Sequence, residues 1–179
     1  MAKPAIAEKT YPLVGIFDSG DAAERAYQAC LNRGYELGQV NVVVSEETRD
    51  KLLKSEHEVK AELGTREAEG GELGGPKGGR MGLLVTVFAA VGAAIAVPAI
   101  GIVVGPLAVA LTAAGAAGVA GGLFAALGDW GVPKERVSGY EADIGKGAIL
   151  MSVEARSAED ANALAQAWRK AGGRDIHRA

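Results

Sequence analysis

The stretch that decides the fold is Gly82 to Gly128, GLLVTVFAAVGAAIAVPAIGIVVGPLAVALTAAGAAGVAGGLFAALG. It holds no charged residue, and its only hydroxyls are Thr86 and Thr112. Sequence of ordinary polarity lies on either side. A run this long and apolar is read in three ways: a membrane segment, a glycine-zipper core of an oligomer, or the interior of a globular fold. Length alone favours two helices, because about 20 apolar residues already suffice for one membrane crossing. Pro98 and Pro106 mark the break between them. Met81 to Val97 would make about 25 Å of helix at ~1.5 Å per residue, just short of a ~30 Å hydrocarbon core. Pro106 to Leu127 would span it. The intervening VPAIGIVVGP offers no polar residue to water on the far side, and Ala and Gly dilute the hydrophobicity of the run.

Small residues fall at helix-packing spacing. Gly101 and Gly105 make one GxxxG, Gly118 and Gly122 another, and Ala114 extends the second backwards. Such rows let helices approach closely in lipid or in a dry protein interface. Lys77 and Arg80 precede the run, and Lys134 and Arg136 follow it, as expected for an insertion entering and leaving on the cytoplasmic side. Trp130 follows directly, either as an interfacial aromatic or packed against a sheet. A slender Gly/Ala helix pair exposes too much apolar surface to stand alone, and the flanking halves offer little to cover it. The expectation is therefore homo-oligomerisation through the hairpin, of cyclic or helical symmetry, with Gly101, Gly105, Ala114, Gly118 and Gly122 at helix–helix contacts.

The flanks carry a repeated β-α-β pattern. Tyr11 to Phe17, YPLVGIF, reads as a strand; Asp18 or Ser19 can cap the next helix, whose apolar face is Ala22, Ala23, Ala26, Tyr27, Cys30 and Leu31; Gly34 stops it. Gln39 to Ser45, QVNVVVS, reads as a β-branched second strand. The C-terminal third repeats this: strand Gly147 to Ala155, a cap at Ser157 with Asp160 completing a capping box, an inner helix face of Ala161, Leu164, Ala165 and Trp168, stop glycines 172 and 173, and a last strand RDIHR. Aligned at Ser19 and Ser157, the helices share Ala23 with Ala161, Gln28 with Gln166, Ala29 with Ala167 and Gly34 with Gly172. Two such halves predict an α+β fold, a ferredoxin-like split β-α-β sheet interrupted by a long Gly/Ala-rich helical hairpin. Residues 1–45 and 129–179 form the sheet domain, 46–80 a charged helix (Glu46 to Leu63) and glycine-rich linker, and 81–128 the hairpin. A short helix begins near Pro133, with Val137, Tyr140 and Ile144 on one face.

Bulk properties narrow the function. A net charge of −3 gives a nucleic-acid partner no electrostatic support. A lone cysteine, Cys30, fits a reducing compartment, and MAKPAIAEKTYP lacks the apolar core of a signal peptide. Both predict a cytoplasmic sheet domain, with the hairpin at the inner face of the membrane or in a multimer core. GGPKGGR has no Ser or Thr after its lysine and no strand before it, so it reads as linker rather than phosphate loop. His57 and His177 have no ligand-spaced partners, and Cys30 reads as core. Glu135, Glu141 and Asp143 read as a solvated helix face. No catalytic, cofactor or metal site is expected.

Three segments, GIFDSGDAAERA, GVPKERVSGYEADIGKGAILMSVEA and AEDANALAQAWRKAGG, resemble the bacterial general stress protein (heat-induced stress protein) family, which pairs a ferredoxin-like β-α-β with a Gly/Ala-rich hydrophobic insert. The most specific part is Gly131 to Val153; the acidic helix and linker at 46–80 are less typical. The resemblance implies a stress-response role and carries over no catalytic residue. The leading expectation is a non-enzymatic, self-associating stress protein with a membrane-inserting or multimer-core hairpin. The alternative is a soluble homo-oligomeric small-molecule sensor whose hairpin only multimerises it. A cavity with converging polar groups would favour the second.

Overall fold

The computed structural model describes residues 10–54, 94–97, 100–113 and 115–178. Strand β1 (Tyr11–Phe17) leads into helix α1 (Gly20–Asn32), whose first turn is closed by Ser19, its hydroxyl accepting from the Ala22 amide at 3.2 Å. Gly34, at φ +81°, ends that helix, a backbone state glycine adopts without a Cβ clash. A 3₁₀ turn (Leu37–Gln39) feeds β2 (Val40–Val44). Helix α2 covers 46–54, with the Ser45 hydroxyl accepting from the Thr48 amide. Then come β3 (Ala94–Val97), β4 (Gly101–Val104), α3 (Pro106–Ala113), α4 (Gly115–Gly128), α5 (Lys134–Gly145), β5 (Ile149–Ala155), α6 (Ala158–Lys170) and β6 (Arg174–Arg178).

The strands form one antiparallel six-stranded sheet in the order β3-β4-β2-β5-β1-β6. The architecture is α+β. Alternate residues of each strand serve opposite faces. On one face Leu13, Phe17, Val40, Val42, Met151 and Val153 pack under α1 and α6. There Phe17 meets Trp168 edge to face at 5.6 Å, and the Trp168 indole donates to the Ala26 carbonyl. Beside them Gly15 leaves room for the Trp168 ring: a Cβ there would come within 3.1 Å of it.

The opposite face also carries an apolar cluster. Val14, Ile16, Val43 and Leu150 lie under Leu107 and Leu111 of α3, Leu123 and Leu127 of α4, and Val137, Tyr140 and Ile144 of α5. This is why β2 is buried at all five positions and β5 at every position but Glu154. Such strands read as continuous apolar runs because both faces are covered.

Several expectations are corrected here. The predicted helix Met81 to Val97 ends, where described, in strand β3; its residues 81–93 lie outside the described residues. The break expected between Pro98 and Pro106 holds, where described, strand β4 and the start of α3, with Pro98 itself outside the described residues. The β-branched residues Ile95, Val97, Ile102, Val103 and Val104 favour strand, and β4 docks on the open edge of β2 in antiparallel register, Val42 opposite Val104. The predicted helix Pro106 to Leu127 is divided between α3 and α4, and α4 itself kinks at Gly122, φ 58° and ψ −148°. Among the described residues, no helix is long and apolar enough to cross a membrane. The described part of the insert lies across the sheet's second face. The flanks do not have to enclose a hairpin, because the relation is inverted: the described part of the insert covers the sheet.

The two β-α-β units are tied at their helix ends. Asp160 does not complete a capping box. Its backbone amide donates to the Ser157 hydroxyl, but its carboxylate takes Tyr35 Oη at 2.6 Å and Arg33 Nε at 2.6 Å. Burial alone would raise the Asp160 pKa, yet the Tyr35 hydrogen bond and the charges of Arg33 and Arg156 outweigh it and hold the carboxyl below its usual value. The Arg156 guanidinium stacks 4.3 Å from the Tyr35 ring.

Leu127, fully buried within the insert, measures this arrangement. Leu127→Ala should destabilise the whole domain by about 2–5 kcal/mol. Chemical denaturation followed at the buried Trp168, on the opposite side of the sheet, checks it. An unchanged midpoint there would mean that the insert does not share the core.

Candidate functional site

A polar strip interrupts the second face of the sheet. Asn41 on β2 stands opposite Ser152 on β5, and continuing that register sets Gln39 beside Glu154. Asn41 is 1% exposed and fully employed. Its Nδ2 donates to Ser152 Oγ at 3.1 Å, and its Oδ1 accepts from the Leu107 amide at 2.7 Å. The second bond satisfies a free N–H in the first turn of α3, a cap supplied by a neighbouring strand rather than by the preceding residue. Pro106, at the first helical position, needs no such partner.

Gly105 makes this approach possible. At φ +108° it turns the chain from β4 into α3, and a Cβ there would come within 2.8 Å of both Asn41 Oδ1 and the Val40 carbonyl. Gly101 has a related role: at φ +127° its Cβ would meet the Val44 carbonyl at 2.2 Å. Both glycines were expected at helix–helix contacts. They serve instead a strand pairing and a strand-to-helix turn, since close backbone approach is as useful in a sheet as between helices. Gly122 faces Ile100 of the β3–β4 turn, with a Cβ distance of 3.0 Å to Ile100 Cδ1, and Glu141 of α5 beyond it. Gly118 lies within α4. Ala114, Lys77 and Arg80 lie outside the described residues, as does His57.

Beyond α4 the chain makes a tight turn. The Leu127 carbonyl accepts from the amides of Trp130 and Val132, and Gly131 takes φ +75°. This turn brings Asp129 and Trp130 to the polar strip. Between sheet, α3 and α4 lies a cavity of about 490 Å³. Its polar lining is Gln39, Asn41, Asp129, Trp130 and Glu154; its apolar wall is Pro106, Leu107, Ala110 and Leu111 from α3 with Ala125 and Ala126 from α4. Asn41 sits at the buried end, while Gln39, Asp129 and Glu154 are exposed. The volume falls within the range of small-molecule sites, which pair apolar walls with a few fixed polar groups. Carboxylates, amides and an indole can hold and orient a ligand.

The remaining residues singled out from the sequence lie elsewhere. The Lys134 ammonium stands 5.5 Å from the centre of the Phe124 ring. Arg136 pairs with Asp175, whose carbonyl also accepts from Tyr140 Oη at 2.8 Å. Arg174 bridges Asp18 and Asp143, so these groups fasten β6 to β1 and α5. Asp143 is therefore engaged rather than free on a solvated face. His177 Nε2 is buried without a partner among the described residues, and burial, with the Arg136 charge beside it, lowers the ring's pKa. Cys30 is fully buried, and burial pushes its thiol up to about 12, far from the range of a reactive thiolate. Among the described residues, no group of three or more His, Cys, Asp or Glu could hold a metal ion.

Gln39, Asn41, Asp129 and Glu154 were not foreseen as site residues. The available signal was Asn41 itself, an amide in the middle of the β-branched QVNVVVS. Comparison with protein-family models, curated proteins and solved structures finds no match.

Asn41→Ala should destabilise the fold by about 1–3 kcal/mol, because it leaves the Leu107 amide buried and unpaired. Amide hydrogen exchange should then accelerate first in α3. Uniform acceleration across the sheet, with α3 no faster than the rest, would contradict the cap.

Proposed function

We propose that this chain is a non-catalytic small-molecule-binding module, and that the cavity between the sheet and the α3–α4 layer is its binding site. The observation that carries the reading is that cavity: about 490 Å³, walled by aliphatic side chains and edged by Gln39, Asn41, Asp129, Trp130 and Glu154. The underlying unit on this reading is ferredoxin-like, supported by the order β2-β5-β1-β6 with α1 and α6 on one face; the insert adds two edge strands and a second helical cover. A metabolite screen by thermal shift tests it. A ligand at a hundredfold excess over its Kd should stabilise the fold by about 2.7 kcal/mol, and the Trp130 indole resonance should move on binding. A broad screen in which no compound raises the melting temperature would refute the reading.

Self-association is the second reading, favoured by a separate observation. Val109 on α3 and Phe124 on α4 are 56% and 44% exposed, the large hydrophobic residues left outside the core among the described residues. We propose that a second copy covers them, with the stress-response role implied by the sequence resemblance. The double change Val109→Ser and Phe124→Ser should lower the particle mass measured by light scattering without changing the fold. A wild-type chain that is monomeric at high concentration would overturn this reading.

A further inference from the structure

Resting on the binding-site reading above, we propose that the cavity selects an organic cation: a ligand with one protonated amine or similar head and an apolar body. The lining is one-sided in charge. Among the described residues of the lining, Asp129 and Glu154 are the ionisable ones, both acidic, with no Lys, Arg or His beside them. The two carboxylates come from different layers, Glu154 from β5 and Asp129 from the turn after α4, so they line one cavity because the insert folds back over the sheet. An anion entering there would meet two like charges, with no basic side chain among the described lining residues to offset them.

Trp130 adds a second, independent preference. The indole is the strongest cation-binding ring among the side chains, and it lines the same cavity as both carboxylates. The opposite wall, with Leu107, Leu111 and Ala126, has no polar side-chain atoms and suits the hydrocarbon part of the ligand. Asn41 is unsuited to hold the head group, because its amide already bonds Ser152 and the Leu107 N–H. The head is therefore assigned to the open, acidic end and the apolar body to the wall of α3 and α4.

Three probes of nearly equal size and shape separate charge from apolar fit: 2-phenylethylammonium, 3-phenylpropionate and 3-phenylpropan-1-ol. Each is titrated into the full chain at neutral pH and low salt, with the Trp130 indole resonance and calorimetry as readouts. The ammonium probe is expected to bind at least about tenfold more tightly than the carboxylate. Asp129→Asn and Glu154→Gln should each weaken it about fivefold, the scale of one partly exposed ion pair, and leave the alcohol unchanged. Added salt should weaken the ammonium selectively. Both acids are exposed and the replacements keep their shape; an unchanged melting temperature confirms that each variant folds. If the alcohol or carboxylate binds as well as the ammonium, the charge inference falls and the cavity reading stands. If none of the three moves the Trp130 signal, both fall.

Discussion

Val14, Ile16, Val43 and Leu150 point away from α1 and α6 into a face that would meet water if nothing lay across it. The rest of the architecture follows from that constraint. An antiparallel sheet with one apolar face needs one helical layer; with two apolar faces it needs two. The charge-free stretch supplies the second. Its first described part extends the sheet by two strands, and its helices then cross back over β4 and β2. Gly101 and Gly105 let the backbone come close enough for this, and Asn41 fixes the point at which α3 begins. The hydrophobicity that made the stretch resemble a membrane segment is used, where described, against the protein's own sheet.

The flanking halves were legible because their signals are local. Ser157 caps where expected, Ser19 rather than Asp18 caps α1, Gly34 and Gly172 take positive φ, and β1 and β6 have the predicted limits. The insert was not legible for the opposite reason. In a run without polar residues neither the helical period nor strand alternation has anything to contrast with, so length was the available guide, and length favoured helices. The finer signal was a change of side-chain type. Residues 94–104 are rich in Ile and Val, whereas Pro106 onward is rich in Ala, Leu and Gly, and the change falls where strand gives way to helix. Gly101 and Gly105 are points of close approach to strand backbone, and the partner of such an approach is not encoded in a GxxxG spacing.

The candidate site was legible only at Asn41. Trp130 follows the apolar run and reads from the sequence either as an interfacial aromatic or as packed against a sheet, and Asp129 carries no signal of its own. Their place beside Glu154 depends on the turn at Gly131 and on α4 lying across the sheet, and neither can be seen before the insert's layer is known. A cavity formed between two layers has no signature in either layer alone. This is also why its lining draws on β2, α3, α4 and β5, which are widely separated in the chain.

The strand order has a consequence for how the protein is made. β1 and β2 belong to one β-α-β unit yet never pair; β5 lies between them, bonded to both. The amino-terminal unit therefore leaves the ribosome with two apolar strands and no partner for either. The strand that joins them is translated only after the whole insert. At ordinary elongation rates that delay is on the order of ten seconds, long compared with the collapse of a small chain. Throughout it the nascent segment has unpaired strand edges, the condition that most invites misassociation between neighbouring chains. A fold that closes by inserting this strand late keeps the facing edges of β1 and β2 open until β5 is made.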